Sequence, residues 1–337
     1  MVITVYVFLL LIILNASILI GTSLTPAICP NATWSKYATT VAGGNGQGAA
    51  FNQLNFPDDI FLDIQNTLYV ADFSNNRIVK WPQNALTGQV VAGGNGIGNK
   101  PNQLWGPTAV FVDKNNNSYI SDFINNRIQM WNSGAVSGQT IIGKSGQGNS
   151  TNQFNHCFGL YLDANVNVYL SDFGNSRVMK WPINSSEGII IAGGNGAGAA
   201  QNQLYAPQGI IGDSDGNIFV TDTHNHRIQK WSLGSSTGVT VAGGNGNGSN
   251  LNQLYYPRTV ILDANKNVYV ADRTNNRIMR WVVGAKNGTI IAGGSQGSGA
   301  DQLSLPQGLQ FDASGNLYVA DQKLLSFFPC IPLDFYN

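Results

Sequence analysis

The amino-acid sequence predicts an all-β protein made of six equal units, each a small sheet of four antiparallel strands, set around a ring as the blades of a propeller. Three observations carry this. AGGNG begins at Ala42, Ala92, Ala192 and Ala242, with altered copies at Ile142 and Ala292, so the starts fall 50 residues apart throughout. Within each unit two apolar runs end in Asp, the first at Asp63, Asp113, Asp163, Asp213, Asp263 and Asp312, the second at Asp72, Asp122, Asp172, Asp222, Asp272 and Asp321. No stretch of the repeat shows helical spacing of apolar residues.

Each unit is then read in order. NQL or DQL, usually followed by Pro, leads into the first run, whose apolar residues make the inner strand. The second run is LYVAD to Asp72 and its equivalents, rich in β-branched and aromatic residues and therefore a strand. A polar turn gives way to a third strand such as NNRIVKW, ending at Trp81. The fourth is TGQVVAGG, which runs into a Gly-rich turn. Four short strands per 50 residues describe a propeller blade. The last unit stops without a fourth strand of its own, and Tyr37 to Val41 belongs to no preceding unit. That N-terminal segment is expected to complete the last blade and remove an open sheet edge. The resulting boundaries are 1–23 for a leader, 24–36 for a short lead-in, 37–330 for the propeller and 331–337 for a tail.

The composition fits a sizeable globular chain: 337 residues, 43% hydrophobic and 11% charged. Lys+Arg and Asp+Glu both number 18, which leaves no cationic surplus to neutralise phosphates and argues against nucleic acid as a partner. Residues Val2 to Ile20 are apolar except for Thr4, Asn15 and Ser17, and Gly21 and Ser23 suit a cleavage site. The leader is read as a secretory signal, with an uncleaved anchor as the alternative. Sequons at Asn31, Asn116, Asn149, Asn184, Asn247 and Asn287 agree with export and mark candidate glycosylation sites.

Recurrence assigns most of the polar residues to architecture. Twelve of the eighteen acidic residues occupy the two repeated Asp positions. The second of these is followed after a short turn by Arg, giving Asp72 with Arg77, Asp122 with Arg127, Asp172 with Arg177, Asp222 with Arg227 and Asp272 with Arg277. These are expected to be structural, charge-assisted pairs. The GGNGxG clusters are flanked by strands rather than by a helix, so they are turns and not phosphate cradles. Trp81, Trp131, Trp181, Trp231 and Trp281 are expected to pack between neighbouring blades.

The run from YVAD to N-x-R-I, seen at Asn75-Asn76-Arg77-Ile78 and again around Arg127, Arg177, Arg227 and Arg277, resembles the NHL repeat. The likeness covers the chain from about Trp34 onward, and the sixth copy departs from it by reading Asp321-Gln322-Lys323-Leu324. The resemblance implies a six-bladed propeller that uses the face carrying the loops from fourth to first strand and from second to third, together with the mouth of the central channel.

On that face the positions that change between repeats are the informative ones. After the Pro position stand Asp58-Asp59, Thr108-Ala109, Phe158-Gly159, Gln208-Gly209, Arg258-Thr259 and Gln307-Gly308. After the second Asp stand Phe73, Phe123, Phe173, Thr223-His224, Arg273 and Gln322. Aromatics therefore gather in blades one to three and Arg258 with Arg273 in blade five. Phe73, Phe123, Phe158, Phe173, His224, Arg258, Arg273, Asp58 and Asp59 form the candidate site, suited to a protein, peptide or glycan; the alternative is that the rings cover loop bases and the charges are solvated.

Two further readings stay open. One is an enzyme, since the amidating lyase acting on peptidyl-hydroxyglycine and the propeller lactonases are similar in fold. The lyase holds zinc with histidines, but here only His156, His224 and His226 exist, and unrepeated carboxylates near the axis are limited to Asp58 and Asp59. No catalytic residue, metal or cofactor is assigned. The other is a purely structural extracellular component. Of the three cysteines, Cys157 replaces the recurrent Pro and is expected to stay unpaired. Cys29 and Cys330 fall at the same end of the last blade, where a disulfide would replace the missing covalent link between third and fourth strands.

Overall fold

The computed structural model of the chain describes residues 25–29, 32–322 and 324–331. The predicted leader at 1–23, the sequon at Asn31, Lys323 and the tail beyond 331 lie outside the described residues.

Six four-stranded antiparallel sheets follow one another in chain order. Blade one is Pro57–Leu62, Leu68–Asp72, Arg77–Trp81 and Gln89–Gly93. The same order recurs in blade two from Pro107–Val112, blade three from Cys157–Leu162, blade four from Pro207–Gly212 and blade five from Val260–Leu262. Blade six consists of Leu309–Phe311, Leu317–Ala320 and Leu324–Phe328, and Thr39–Gly43 supplies its outer strand. The ring therefore closes as the repeat count requires, with the first strand of the propeller joined to the last blade.

The inner two strands of each blade are almost wholly buried. The leucine of NQL and its equivalents, Leu54, Leu104, Phe154, Leu204, Leu254 and Leu303, are all at 0% exposure. Each makes an isolated parallel bridge to the Gly-rich loop before it, as Leu54 does with Gln47. Fully burying one such side chain contributes about 2–3 kcal/mol, and the six together tie every long loop to its blade.

The Gly-rich loop is held by its own residues. Gln53 Nε2 donates to Asn45 O at 2.9 Å, and Asn45 Nδ2 reaches the carbonyls of Gly43 and Asn52. A Cβ at Gly93, where φ is +68°, would stand 2.4 Å from Asn76 O, so glycine is required there by contact as well as by conformation. The repeated tryptophans close the other end of blades one to five, and Phe328 takes their place in blade six. Trp181 is 2% exposed, stands edge-on to Phe154 at 6.2 Å and shares a crevice with Tyr119 and Ile141 of blade two.

Beyond the ring, Thr33–Trp34 pairs with Cys330–Ile331. Trp34 stacks on Phe311 at 6.3 Å, meets Tyr269 edge-on and donates its Nε1–H to Gly315 O. This short ribbon stands where other blades have a covalent turn. Cys29, Cys157 and Cys330 are all free thiols in the structure. Cys29 is exposed and Cys330 half-buried, and burial and then the neighbouring Cys29 push the Cys330 thiol up. Cys157 is at 0% exposure, and burial raises its thiol to about 12.

Candidate functional site

The loop face is shaped by the recurrent Asp and Arg. In blades one to five the two residues are register partners across the hairpin between second and third strands, as Asp72 is with Arg77. Arg77 Nε donates to Asp72 Oδ2 at 2.7 Å, and its two Nη groups reach the carbonyls of Ala49, Ala50 and Gln53. The other carboxylate oxygen accepts from Asn55 N–H at 2.8 Å. One ion pair thus fixes both ends of the loop that enters the blade. The sixth copy, which lacks N-x-R, keeps part of this: Asp321 accepts from Ser304 N–H.

What the clamp presents are the two residues before the recurrent Pro. The second of them is left-handed in every blade: Phe56, Gly106, His156, Ala206, Tyr256 and Leu305 have φ between +48° and +62°. Holding bulky residues such as Phe56 and Tyr256 in this region costs energy that the clamp must supply. An inter-blade hydrogen bond helps, since Gly106 N–H donates to Asn76 Oδ1 and His156 N–H to Asn126 Oδ1. His226 takes the Asn place in blade four, its Nδ1 accepting from Tyr256 N–H at 3.1 Å.

Side chains thrown outward by these turns form a band of rings. Phe123 lies on His156 and Phe158 at 4.6 and 4.8 Å, Phe158 on Phe173 at 5.3 Å, and Phe173 meets His224 at 6.3 Å. His224 continues to Tyr205 and Tyr256 at 4.7 and 5.4 Å. Phe73 lies apart from this chain of contacts, its ring against Gly106. Trp105, Tyr205 and Tyr256 are 44%, 45% and 38% exposed, whereas Phe73, Phe123, Phe158 and Phe173 are half-buried. These exposed rings lie outside the positions after Pro and after Asp that define the sequence-based candidate site. The two before Pro vary between repeats just as freely, and that variation was the available signal.

Of the residues after the recurrent Pro position, Asp58, Thr108, Phe158, Gln208 and Arg258 meet at the throat of the channel. Arg258 crosses it. Its guanidinium lies over Phe158 at 3.7 Å, donates to Gln208 Oε1 at 2.9 Å and forms a very short ion pair with Asp58 of blade one. The throat cavity is only about 70 Å³, room for a few water molecules. Asp58 is consequently not a solvated rim acid; it is 8% exposed, and burial pushes its carboxyl up against the pull of Arg258. Asp59 lines the same space without an arginine on it, and burial raises its carboxyl to about 7. Arg273 stands at the mouth near both Arg258 and Asp58.

His156 and the hairpin pair His224–His226 do not converge: among the described residues no group of three or more His, Cys, Asp or Glu could hold a metal ion. The opposite face has a larger groove of about 490 Å³ beneath blades three to five, lined by the repeated turn residues Asp163, Asp213 and Asp263 and by Lys266. Those carboxylates are already satisfied by the turns, Asp213 Oδ1 accepting from the N–H groups of Asp215 and Asn217. The described sequons, Asn116, Asn149, Asn184, Asn247 and Asn287, are all exposed.

Comparison with known proteins agrees with this geometry. No curated protein matches the sequence. Among solved structures, one from Bacteroides thetaiotaomicron described as of unknown function has a TM-score of 0.65 at 14% identity, covering 88% of this chain and 76% of its own. An auxiliary nutrient binding protein from the same organism has a TM-score of 0.61 at 14% identity, over 92% and 76%. A gluconolactonase from Xanthomonas campestris has 0.61 at 13% identity, over 93% and 98%. At these identities the likeness is one of fold. The family model described as NHL repeat matches residues 204–231, which run from Leu204 through the Asp222–Arg227 pair to Trp231. The matched unit is an NHL repeat, and the chain that carries it is a closed ring of six four-stranded sheets, a six-bladed β-propeller.

Proposed function

We propose that this protein is a secreted, non-catalytic binding module that holds a peptide, protein or glycan ligand across its loop face. The observation that carries the reading is the continuous band of rings from Phe123 to Tyr256, with Arg258 lying over Phe158 within it. Rigid aromatic side chains supply large contact areas at little cost in conformational entropy, and arginines beside them add directed donors. The likeness to nutrient-binding propellers supports a ligand-holding role. The signal-like leader and the exposed sequons support export.

An enzyme of lactonase type is the competing reading, favoured by one observation: Asp59, with its carboxyl near 7, has the acidity of a general acid or base. Against it, Arg258 fills the throat above Asp59 and leaves about 70 Å³. A peptide and glycan array probed with the purified protein tests both readings. Binding should fall more than about tenfold in Tyr205→Ala/Tyr256→Ala, the size of a lost aromatic hot spot. Turnover of a sugar lactone that disappears in Asp59→Asn would replace the binding reading with the enzymatic one.

A further inference from the structure

The junction of blades four and five carries a titratable side chain where other blades use an amide. In blades one, two and five the residue before the clamp arginine is Asn. Its Oδ1 accepts from the N–H of the left-handed residue before the first strand of the next blade: Asn76 from Gly106, Asn126 from His156 and Asn276 from Leu305. Blade four has His226 there, and its Nδ1 accepts from Tyr256 N–H at 3.1 Å. A backbone N–H can only donate, so this bond exists only while Nδ1 carries no proton and the neutral ring holds its hydrogen on Nε2. Protonation sets two donors against each other.

The residue held in this way is the exposed ring at the blade-five end of the band. Tyr256 has φ at +48°, a backbone state that bulky residues avoid, so its placement depends on the bonds around it. Its ring meets His224 at 5.4 Å and His226 at 4.8 Å and stacks on Tyr255 at 5.2 Å. The titratable groups facing His226 are His224 on its own turn and Tyr255 and Tyr256 from the entry to blade five. Asp222 and Arg227 of its own hairpin are engaged with each other, and Gly243 and Gly244 of the outer strand meet its carbonyl. Burial and then the charge of His224 oppose a proton on the ring and hold its pKa below the ordinary value. Once released from Tyr256 and hydrated, the ring returns toward about 6.5. The open arrangement therefore binds the proton that the closed one refuses, and falling pH drives opening.

We propose that His226 is an acid-sensitive latch on the Tyr256 loop, closed at neutral pH and open in mild acid, through which the loop face releases its ligand. The proposal rests on the loop-face reading and adds the regulation of that site. Two measurements on the purified protein test it. By nuclear magnetic resonance, the Tyr256 amide and the His226 ring nitrogens should titrate with one midpoint, and in His226→Asn the Tyr256 amide should hold still between pH 7.5 and 5. A Tyr256 amide that stays constant in the wild-type protein while His226 titrates overturns the latch. For binding, the peptide and glycan array is probed at both pH values. Retention on the spots bound at pH 7.5 should fall at least about fivefold at pH 5, within the tenfold per pH unit that one linked proton allows. His226→Asn should bring that ratio close to one. His224→Asn should keep the fall and move its midpoint to higher pH, because a charge opposing the proton is gone; a fall that vanishes in His224→Asn and persists in His226→Asn overturns the proposal. If Tyr205→Ala/Tyr256→Ala leaves capture intact, the loop-face reading falls and the regulatory role with it. If capture needs those rings but the pH ratio is the same in wild type and His226→Asn, the loop-face reading stands and the latch falls.

Discussion

Replacing Arg227 by Ala removes the clamp that holds the Tyr205 loop. In the native chain Arg227 Nε donates to Asp222 Oδ2 at 2.7 Å, and Nη2 reaches Ala200 O and Gln203 O at 3.2 and 3.3 Å. Asp222 is at 0% exposure, so the variant leaves a buried carboxylate with only Tyr205 N–H and Asn225 Nδ2 as donors. Breaking a buried pair on one side costs about 3–5 kcal/mol, more than the three hydrogen bonds themselves contribute, because the stranded charge carries its desolvation penalty. Adding Asp222→Asn removes that charge while keeping an acceptor for Tyr205 N–H. The double variant should therefore be more stable than Arg227→Ala by about 1–3 kcal/mol, measured as a rise in urea midpoint at constant slope. Amide exchange at Tyr205 should quicken in the single variant. A single variant that loses under about 1 kcal/mol, or a double variant less stable than the single, refutes the clamp as the support of the rim.

Three other outcomes follow from the same geometry. Asp59 has a raised folded pKa, so its stabilising contribution is complete below about pH 4 and is lost as pH rises through about 7; Asp59→Asn should stabilise the protein by up to about 4 kcal/mol at pH 8, less where channel water reaches the group, and hardly at all at pH 4, and equal effects at both pH values contradict this. His226 has a lowered folded pKa from burial and then from His224, so the unfolded chain takes the proton first and stability falls as pH drops below about 6.5. The drop includes loss of the Tyr256 N–H bond, about 1 kcal/mol, and His226→Asn, which restores the residue of blades one, two and five, should flatten the melting temperature between pH 7.5 and 5. For the ring closure, the structure has Cys29 and Cys330 as free thiols; if the chain is exposed to an oxidising compartment, non-reducing peptide mapping should find these two joined with Cys157 free, a link that stabilises by at most about 5 kcal/mol, and a Cys157 linkage to either refutes the pairing.

How far the sequence could be read depends on what repetition records. Asp72 and Arg77 recur five times at one spacing, and Thr39–Gly43 fills a place that counting leaves empty; both are local or periodic features, and the blade fold follows from them. The throat is neither. Arg258 meets Asp58 from 200 residues away because six inner strands converge on an axis narrow enough for one arginine to cross. A blade-by-blade comparison puts the arginines of blade five and the phenylalanines of blades one to three on one face, but it does not state which of them touch. The structure supplies the contact, with Arg258 lying on Phe158. Trp105, Tyr205 and Tyr256 stand at the two positions before Pro, whose variation between repeats is legible in the sequence; their outward placement is not, because it follows from a left-handed backbone state that residues such as Tyr256 seldom adopt.

Binding on the loop face is tested most directly by hydrogen–deuterium exchange with and without the ligand that the array identifies. Protection should appear in the loops carrying Trp105, Tyr205, His224, Tyr256 and Arg273, with the opposite groove at Asp163, Asp213 and Lys266 unchanged. Protection confined to that opposite groove would contradict the assignment of the binding face.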